Sequence, residues 1–191
     1  MLLRRNHFGR EPVTLTEPEG FTGGATQQLE VSLRTVRIQK LAIVGVGNSL
    51  RGDDFAGSFV AKRLANRLPD GAGRPLVLDA ENSPEDVARR VRDFGAETLV
   101  FVDTTIMGSP PGTVKLMDLQ KTEYPYFSTH NVPLRLLANM MGQVKRSFLL
   151  AIEPKSTEFG EKMSEEVRRS CVSLVNVICR IVAEYEERSN A

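Results

Sequence analysis

Runs of continuous apolar residues alternate along the chain with segments whose apolar residues recur every three or four positions. Continuous runs are typical of strands buried on both faces of a sheet, and the 3–4 spacing indicates amphipathic helices. The pattern predicts buried strands at 41–47, 75–79, 98–103 and 147–152, and an alternating edge strand at 113–119. Helices are predicted from Asp53 or Asp54 to Leu68, and at 84–94, 133–141 and 163–187.

This alternation predicts an α/β fold, a three-layer α/β/α sandwich around a mainly parallel twisted sheet. Residues 36–191 are long enough for one such domain. Residues 1–35 are polar and only weakly periodic, so we expect a loosely ordered N-terminal extension with a short helix around Thr26–Leu33. In open parallel sheets, ligands bind at the carboxyl ends of the strands. Three acids are predicted at or just past those ends, namely Asp54, Asp79 and Asp103.

Net charge and the distribution of apolar residues argue against several classes of partner and cellular location. The formal net charge is +1, which gives no electrostatic reason to expect nucleic acid or an anionic membrane as partner. No apolar run approaches the ~18 residues of a membrane span. Arg4 and Arg5 interrupt any signal-peptide core, so we expect a cytoplasmic protein. Cys171 and Cys179 lie in one predicted helix, too far apart for a disulfide, and are expected to pack in the core.

The segment GVGNSLRGDD, at residues 45–54, raises the question of dinucleotide binding. Its two glycines match the start of a G-x-G-x-x-G turn, and Asp79 stands where a ribose-binding acid would. The third glycine position, however, is Leu50. The helix start that should offer amides to a pyrophosphate carries Asp53 and Asp54, which would cap the helix and repel an anion. The dinucleotide interpretation is therefore disfavoured.

A metal site is a second interpretation. The chain has two histidines, of which His7 lies in the polar N-terminus and His130 in a predicted loop. One imidazole and the carboxylates of Asp54 and Asp103 would suit a borderline divalent ion and leave open coordination positions. The same residues could instead be a helix cap, a strand-end turn residue and an ordinary loop histidine. A proton-sharing dyad of the two acids also stays open, whereas no serine or cysteine nucleophile motif is present.

Three motifs together resemble a known family. VGVGNSLRGDDFAG (44–57), FVDTTIMGSPPGTV (101–114) and STHNVPL (128–134) occur in the order found in the hydrogenase maturation endopeptidases. The resemblance covers about residues 40–185. It is greatest to the branch that processes the large subunit of membrane-bound, hydrogen-evolving nickel–iron hydrogenases.

The resemblance implies an α/β/α endopeptidase that removes a C-terminal extension from the hydrogenase large-subunit precursor after nickel insertion. By motif position, Asp54, Asp103 and His130 would contact that nickel, which belongs to the substrate, and no permanently bound cofactor is expected. Asp79, with Asn48 and Asp53 of the turn, are weaker site candidates. An escort that binds the precursor without cutting it is the alternative.

Two local departures from the family pattern stand out. Phe55 replaces a glycine that is common after the acid pair, and a ring there could narrow the cleft. Residues 80–82, Ala-Glu-Asn, stand where many members carry a glycine pair. The N-terminal extension is also longer than usual.

Overall fold

The computed structural model describes residues 25–34, 36–68, 73–81, 83–121, 127–128 and 134–189. Six strands form one sheet: β1 Leu41–Gly45, β2 Leu76–Asp79, β3 Thr98–Ile106, β4 Val114–Asp118, β5 Phe127–Ser128 and β6 Arg146–Ile152. Five α-helices accompany them: α1 Ala25–Arg34, α2 Ala56–Arg67, α3 Ala88–Phe94, α4 Leu134–Met140 and α5 Glu165–Ser189. Short 3₁₀ turns span Ile38–Lys40, Gly52–Phe55 and Pro84–Val87.

The strand order is β2-β1-β3-β6-β4, with β5 paired to the end of β3. The pairs β1–β2, β1–β3 and β3–β6 are parallel, whereas β4 runs antiparallel to β6 at the sheet edge. The alternating segment at 113–119 is thus the edge strand that its pattern predicted. Within the described chain, no helix is long and apolar enough to cross a membrane.

Two apolar clusters cover the two faces of the sheet. One joins α1, α2 and α5 to residues of β3 such as Val100 and Val102. The other joins α3 and α4 to alternate residues of the same strand, including Leu99 and Phe101. Because successive strand side chains point to opposite faces, β3 contributes to both clusters. These layers confirm the predicted α/β/α sandwich.

Helix α1 confirms the short helix predicted near residues 26–33. Its Leu29 and Leu33 are almost completely buried in the α2–α5 cluster. Arg180 of α5 donates a hydrogen bond to Glu30 at 2.6 Å, which joins the two helices at their polar margin. These residues of the extension are therefore part of the packed core. The division of the chain at residue 35 stays a prediction.

Several helix ends follow local sequence signals. Gly95 ends α3 in the left-handed region at φ 68°, as a C-terminal glycine does. Pro84 begins the turn that leads into α3. Ser83 occupies the N-cap position, but its side chain makes no capping hydrogen bond.

The sheet reverses its winding between β1 and β3. From β1 the chain passes to β2 on one side, and it then returns to β3 on the other side. Loops that follow two such neighbouring strands diverge and leave a crevice at their carboxyl ends. The segments carrying Asp54 and Asp103 follow β1 and lie in β3, respectively. The fold thus brings both segments to its topological switch point.

Candidate functional site

Glycines between β1 and α2 permit close packing of backbone on backbone. A Cβ on Gly45 would lie 2.1 Å from the Gly57 carbonyl oxygen, and one on Gly47 would lie 2.2 Å from the Asp54 carbonyl oxygen. Gly57 itself is enclosed by the Val102 and Val46 carbonyl oxygens, at 2.1 and 2.2 Å from a built Cβ. The glycines therefore let the start of α2 lie directly on the ends of β1 and β3.

Backbone amides of this turn are bonded within the protein. Gly47 donates to the Glu81 carbonyl at 2.7 Å, and Gly52 donates to the Glu161 carbonyl at 3.2 Å. Amides of residues 46, 48, 51, 53 and 54 also donate to main-chain carbonyls. A phosphate-binding turn needs such amides free. The geometry therefore argues against the dinucleotide interpretation, as the sequence did.

Asn48 shapes the turn through its side chain. Its Oδ1 accepts a hydrogen bond from the Leu50 amide at 2.9 Å, which forms an Asx turn. Its carbonyl accepts from the Arg51 amide at 3.1 Å. Asn48 thus has a structural role that accounts for its side-chain oxygen.

Asp53 does not cap α2. The 3₁₀ turn and α2 that follow β1 have no side-chain cap, so the predicted capping by Asp53 or Asp54 is wrong. The Asp53 carboxylate is buried and instead accepts from the Ser164 amide and hydroxyl at 2.6 and 2.9 Å. It also accepts from the amides of Lys155 and Ser156 at 2.8 and 3.2 Å. Asp53 therefore holds the loop before α5 in place, including Ser164, the residue immediately before that helix.

Asp54 differs from its neighbour. Its side chain is also buried, with 3% of its surface exposed. Its Oδ1 has no hydrogen-bond partner in the part of the chain that the structure describes. A buried carboxylate oxygen without a donor destabilises the fold, because nothing replaces the water that it loses. Such an oxygen is a candidate for binding a cation or a donor brought by a ligand.

Asp103 lies within β3 and not at its end, because the strand extends three residues further than the sequence predicted, to Ile106. Its pairing with β1 nevertheless stops at Val102, opposite Gly45. Asp103 is therefore the first residue of β3 beyond β1, and its side chain is completely buried. Its Oδ1 accepts a hydrogen bond from the Thr104 amide at 2.8 Å.

Thr104 connects the two acidic segments. Its hydroxyl donates to the Asp53 carbonyl at 2.9 Å, while its amide donates to the Asp103 carboxylate. The residue before Asp54 thus contacts the residue after Asp103. The 3₁₀ turn Gly52–Phe55 accordingly packs against β3.

Asp79 stands at the end of β2, opposite Gly45, as its position in the sequence predicted. Its carboxylate forms an ion pair with Lys62 of α2 at 3.1 Å and accepts from the Glu81 amide at 3.1 Å. The negative charge is therefore already compensated by the protein. This makes Asp79 less suited to a cation than Asp54.

Both histidines, His7 and His130, lie outside the described residues. Among the residues that are described, no group of three or more His, Cys, Asp or Glu could hold a metal ion. The three-ligand site predicted from the sequence therefore stays a prediction.

Glu153, which directly follows β6, has a defined role. It is buried, and its Oε2 accepts from the amides of Met107 and Ser109 at 2.7 and 3.1 Å. It thereby holds the loop that leaves β3. The signal available in the sequence was an acid immediately after a buried strand, which also fits a ligand or a turn.

The Phe55 ring packs against side chains of α2. It contacts Phe59 edge to face at a centroid distance of 6.1 Å, and the Lys62 ammonium lies 5.2 Å from its centre. The ring is half-buried along the surface of α2.

Glu81 adopts a backbone conformation that glycine favours. Its φ is 49°, in the left-handed region, and among the described residues it is the one non-glycine with a positive φ. Its carbonyl accepts the Gly47 amide, so the strained turn after β2 supports the turn after β1.

Comparisons with known proteins agree on one family. A family model described as hydrogenase maturation protease matches residues 60–181. The hydrogenase 3 maturation protease of Escherichia coli is 31% identical over 125 residues, covering 64% of this chain and 78% of that protein.

Solved structures give the same result. A crystal structure of a [NiFe] hydrogenase maturation protease from Thermococcus kodakarensis superposes with a TM-score of 0.73 at 29% identity, covering 82% of this chain and 99% of that one. A crystal structure of the hydrogenase 3 maturation protease gives a TM-score of 0.62 at 28% identity, covering 72% of this chain and 87% of that one.

Proposed function

From the premise that the chain belongs to the hydrogenase maturation protease family, and is a peptidase, we propose its substrate and its means of recognition. The chain removes the C-terminal extension of a nickel–iron hydrogenase large-subunit precursor after nickel insertion. It recognises the nickel of that precursor through Asp54, Asp103 and His130. The hydrogenase belongs to the hydrogen-evolving branch, as the resemblance of the three sequence motifs implies.

The observation that carries the proposal is that Oδ1 of Asp54 has no hydrogen-bond partner among the described residues. Described residues donate four hydrogen bonds to the carboxylate of the adjacent Asp53 and none to this oxygen. A buried carboxylate oxygen near the switch point that accepts from no described residue fits a group that is completed only when substrate brings a cation.

Asp103 supports the same site. It lies in the strand next to β1, one residue beyond their last paired position, and Thr104 links its carboxylate to the Asp53 backbone. Strand alternation places Asp103 on the sheet face that carries Leu99, Phe101 and α4.

The position of His130 in the chain, between β5 and α4, supports its inclusion in the site. Ser128 of β5 pairs with Thr105, two residues beyond Asp103, and His130 follows Ser128 by two residues in the sequence. The chain then continues into α4, which packs on the face that carries Asp103. The described segments before and after the loop thus lie against β3 or on the sheet face that carries Asp103, which supports the proposal that His130 belongs to the same site.

The donor set explains why cleavage would depend on nickel. Two carboxylates and one imidazole suit a borderline divalent ion but leave its coordination incomplete, so the precursor's own ligands would supply the remainder. A precursor without nickel offers these residues no cation. The same carboxylates would then face the substrate without compensation, and productive binding would be weak.

The test compares nickel-loaded with nickel-free precursor and follows its mass. The parent chain should release a C-terminal peptide only from the loaded form. Asp54→Asn, Asp103→Asn and His130→Ala should each abolish release while retaining the circular-dichroism spectrum. Asp93→Asn, an exposed acid on α3, and His7→Ala serve as matched controls and should cleave normally. Cleavage by a folded triple variant would refute the assignment.

The escort alternative has its own result in this experiment. If the parent chain binds the loaded precursor but leaves its mass unchanged, the chain carries the precursor without cutting it. Saturable binding of NAD would instead support the dinucleotide interpretation, and we expect none.

A further inference from the structure

Two adjacent loops beside the acidic site expose large apolar side chains. Leu50, in the turn after β1, is 58% exposed, and Phe159, in the segment before α5, is 75% exposed. Four other large apolar side chains are as exposed among the described residues: Val31, Ile106, Leu136 and Met140. Leu50 and Phe159 differ from these four because the backbone of one loop is hydrogen-bonded to the backbone of the other.

The two loops are held together by a series of hydrogen bonds. Gly160 donates to the Leu50 carbonyl at 2.8 Å, and the Arg51 side chain donates to the Thr157 carbonyl at 3.2 Å. Gly52 donates to the Glu161 carbonyl at 3.2 Å. The exposure of Leu50 and Phe159 is therefore a property of a fixed surface, which we call the Leu50–Phe159 platform.

The platform is continuous with the proposed active site. Asp54 follows Leu50 by four positions along the chain, and the Asp53 carboxylate accepts from amides of the loop that carries Phe159. A substrate polypeptide that is cleaved at the site formed by Asp54 and Asp103 has to cross the protein surface beside that site. Preorganised apolar side chains there gain free energy when a substrate covers them, with little ordering cost.

We propose that the Leu50–Phe159 platform binds apolar side chains of the precursor polypeptide next to the scissile bond. This inference rests on the proposed function. It assigns the metal-contacting residues to sensing nickel and the platform to holding the polypeptide. The two contributions can therefore be separated by substitution.

The experiment measures initial cleavage rates over a range of nickel-loaded precursor concentrations. Leu50→Ser and Phe159→Ser should each raise KM about tenfold and leave kcat within about twofold, because each loses apolar burial made equally in ground and transition states. Val31→Ser is the matched control: Val31 is 60% exposed on α1, and its replacement should leave KM unchanged. Unaltered KM in the Leu50 and Phe159 variants would overturn the proposal.

A binding assay separates failure of the platform from failure of the proposed function. Anisotropy of fluorescently labelled precursor should show about tenfold weaker binding to the Phe159→Ser variant, whether or not the parent chain cleaves. Weaker binding without any cleavage would support the platform and refute the endopeptidase. Unchanged precursor binding, with a lower sedimentation coefficient of the variant, would show that a second copy of the chain covers the platform and would overturn the proposal.

Discussion

Asp53 and Ser164, which are 111 residues apart, form a double hydrogen bond in which the serine amide and hydroxyl both donate to one carboxylate. The pair joins the turn after β1 to the start of α5. Because the next residue after Asp53 is Asp54, the conformation of the proposed site depends on a contact with the last helix. The adjacent acids thus differ: Asp53 holds the loops together, whereas Oδ1 of Asp54 has no hydrogen-bond partner among the described residues.

Replacing Asp53 should destabilise the fold. Asp53→Asn places an NH₂ group among four donors, and we expect a loss of about 2–3 kcal/mol in the free energy of unfolding. Urea denaturation followed by circular dichroism measures it. Asp93→Asn, which alters an exposed ion pair with Arg89, should cost less than about 0.5 kcal/mol. Equal effects of the two substitutions would contradict the structural role of Asp53.

Asp54→Asn should leave stability intact and abolish activity, in contrast to Asp53→Asn. It removes a charge from a buried oxygen that has no partner among described residues, so the unfolding free energy should stay unchanged or rise by about 1 kcal/mol. Processing activity should be lost in the same variant. A loss of stability as large as that of Asp53→Asn would show that Asp54 is structural.

Gly57→Ala should be strongly destabilising even though alanine favours helices. The added Cβ would lie within 2.2 Å of two carbonyl oxygens, which belong to backbone and cannot rotate away. We expect a cost above about 3 kcal/mol, against a gain in helix propensity of about 1 kcal/mol. Thermal unfolding checks this, with Gly108→Ala as control, because a Cβ at Gly108 meets nothing within 4 Å. In Gly108→Ala the left-handed backbone conformation alone should lower the unfolding free energy, by about 1 kcal/mol.

Glu81→Gly should stabilise the turn after β2. The left-handed conformation costs a non-glycine residue about 1 kcal/mol, which glycine avoids, although its more flexible unfolded chain offsets part of the gain. We expect a rise of up to about 1 kcal/mol in unfolding free energy. Glu81→Ala keeps the strain and should show no such rise in the same denaturation experiment.

The two cysteines should differ in reactivity. Burial, and secondarily the charge of Asp53, raises the pKa of the Cys171 thiol. Burial also raises the pKa of the half-buried Cys179, partly opposed by Arg67. At pH 8, iodoacetamide should modify Cys179 slowly and Cys171 only after unfolding, which peptide mass mapping can follow. Rapid labelling of Cys171 in the native protein would contradict its burial in the core.

The raised pKa of Cys171 also affects stability. A thiol that stays protonated when folded but ionises when unfolded favours the unfolded state as pH rises. Stability should therefore fall above the ordinary cysteine pKa of about 8.5, and Cys171→Ala should remove part of that fall.

The sequence by itself determined the order and type of the main elements. Continuous apolar runs such as 99–102 favour a strand covered on both faces, and the 3–4 spacing through α5 favours a helix with one buried side. Asp79 was visible as a strand-end acid because the apolar run stops there, whereas β3 continues past Asp103 to Ile106. The edge position of β4 followed from its alternation.

Only the tertiary structure decided what each acid does. Asp53 and Asp54 have the same chemistry and neighbouring positions, and capping was a reasonable expectation for either. Their difference depends on donors from residues 155–164 and on a hydroxyl of β3, which no local pattern specifies. The turn glycines likewise matter for contacts with α2 and β3. Hydrogen bonds between distant residues and close backbone contacts depend on how the elements pack against each other. The hydrophobic periodicity of the sequence indicates only which side of each element is apolar.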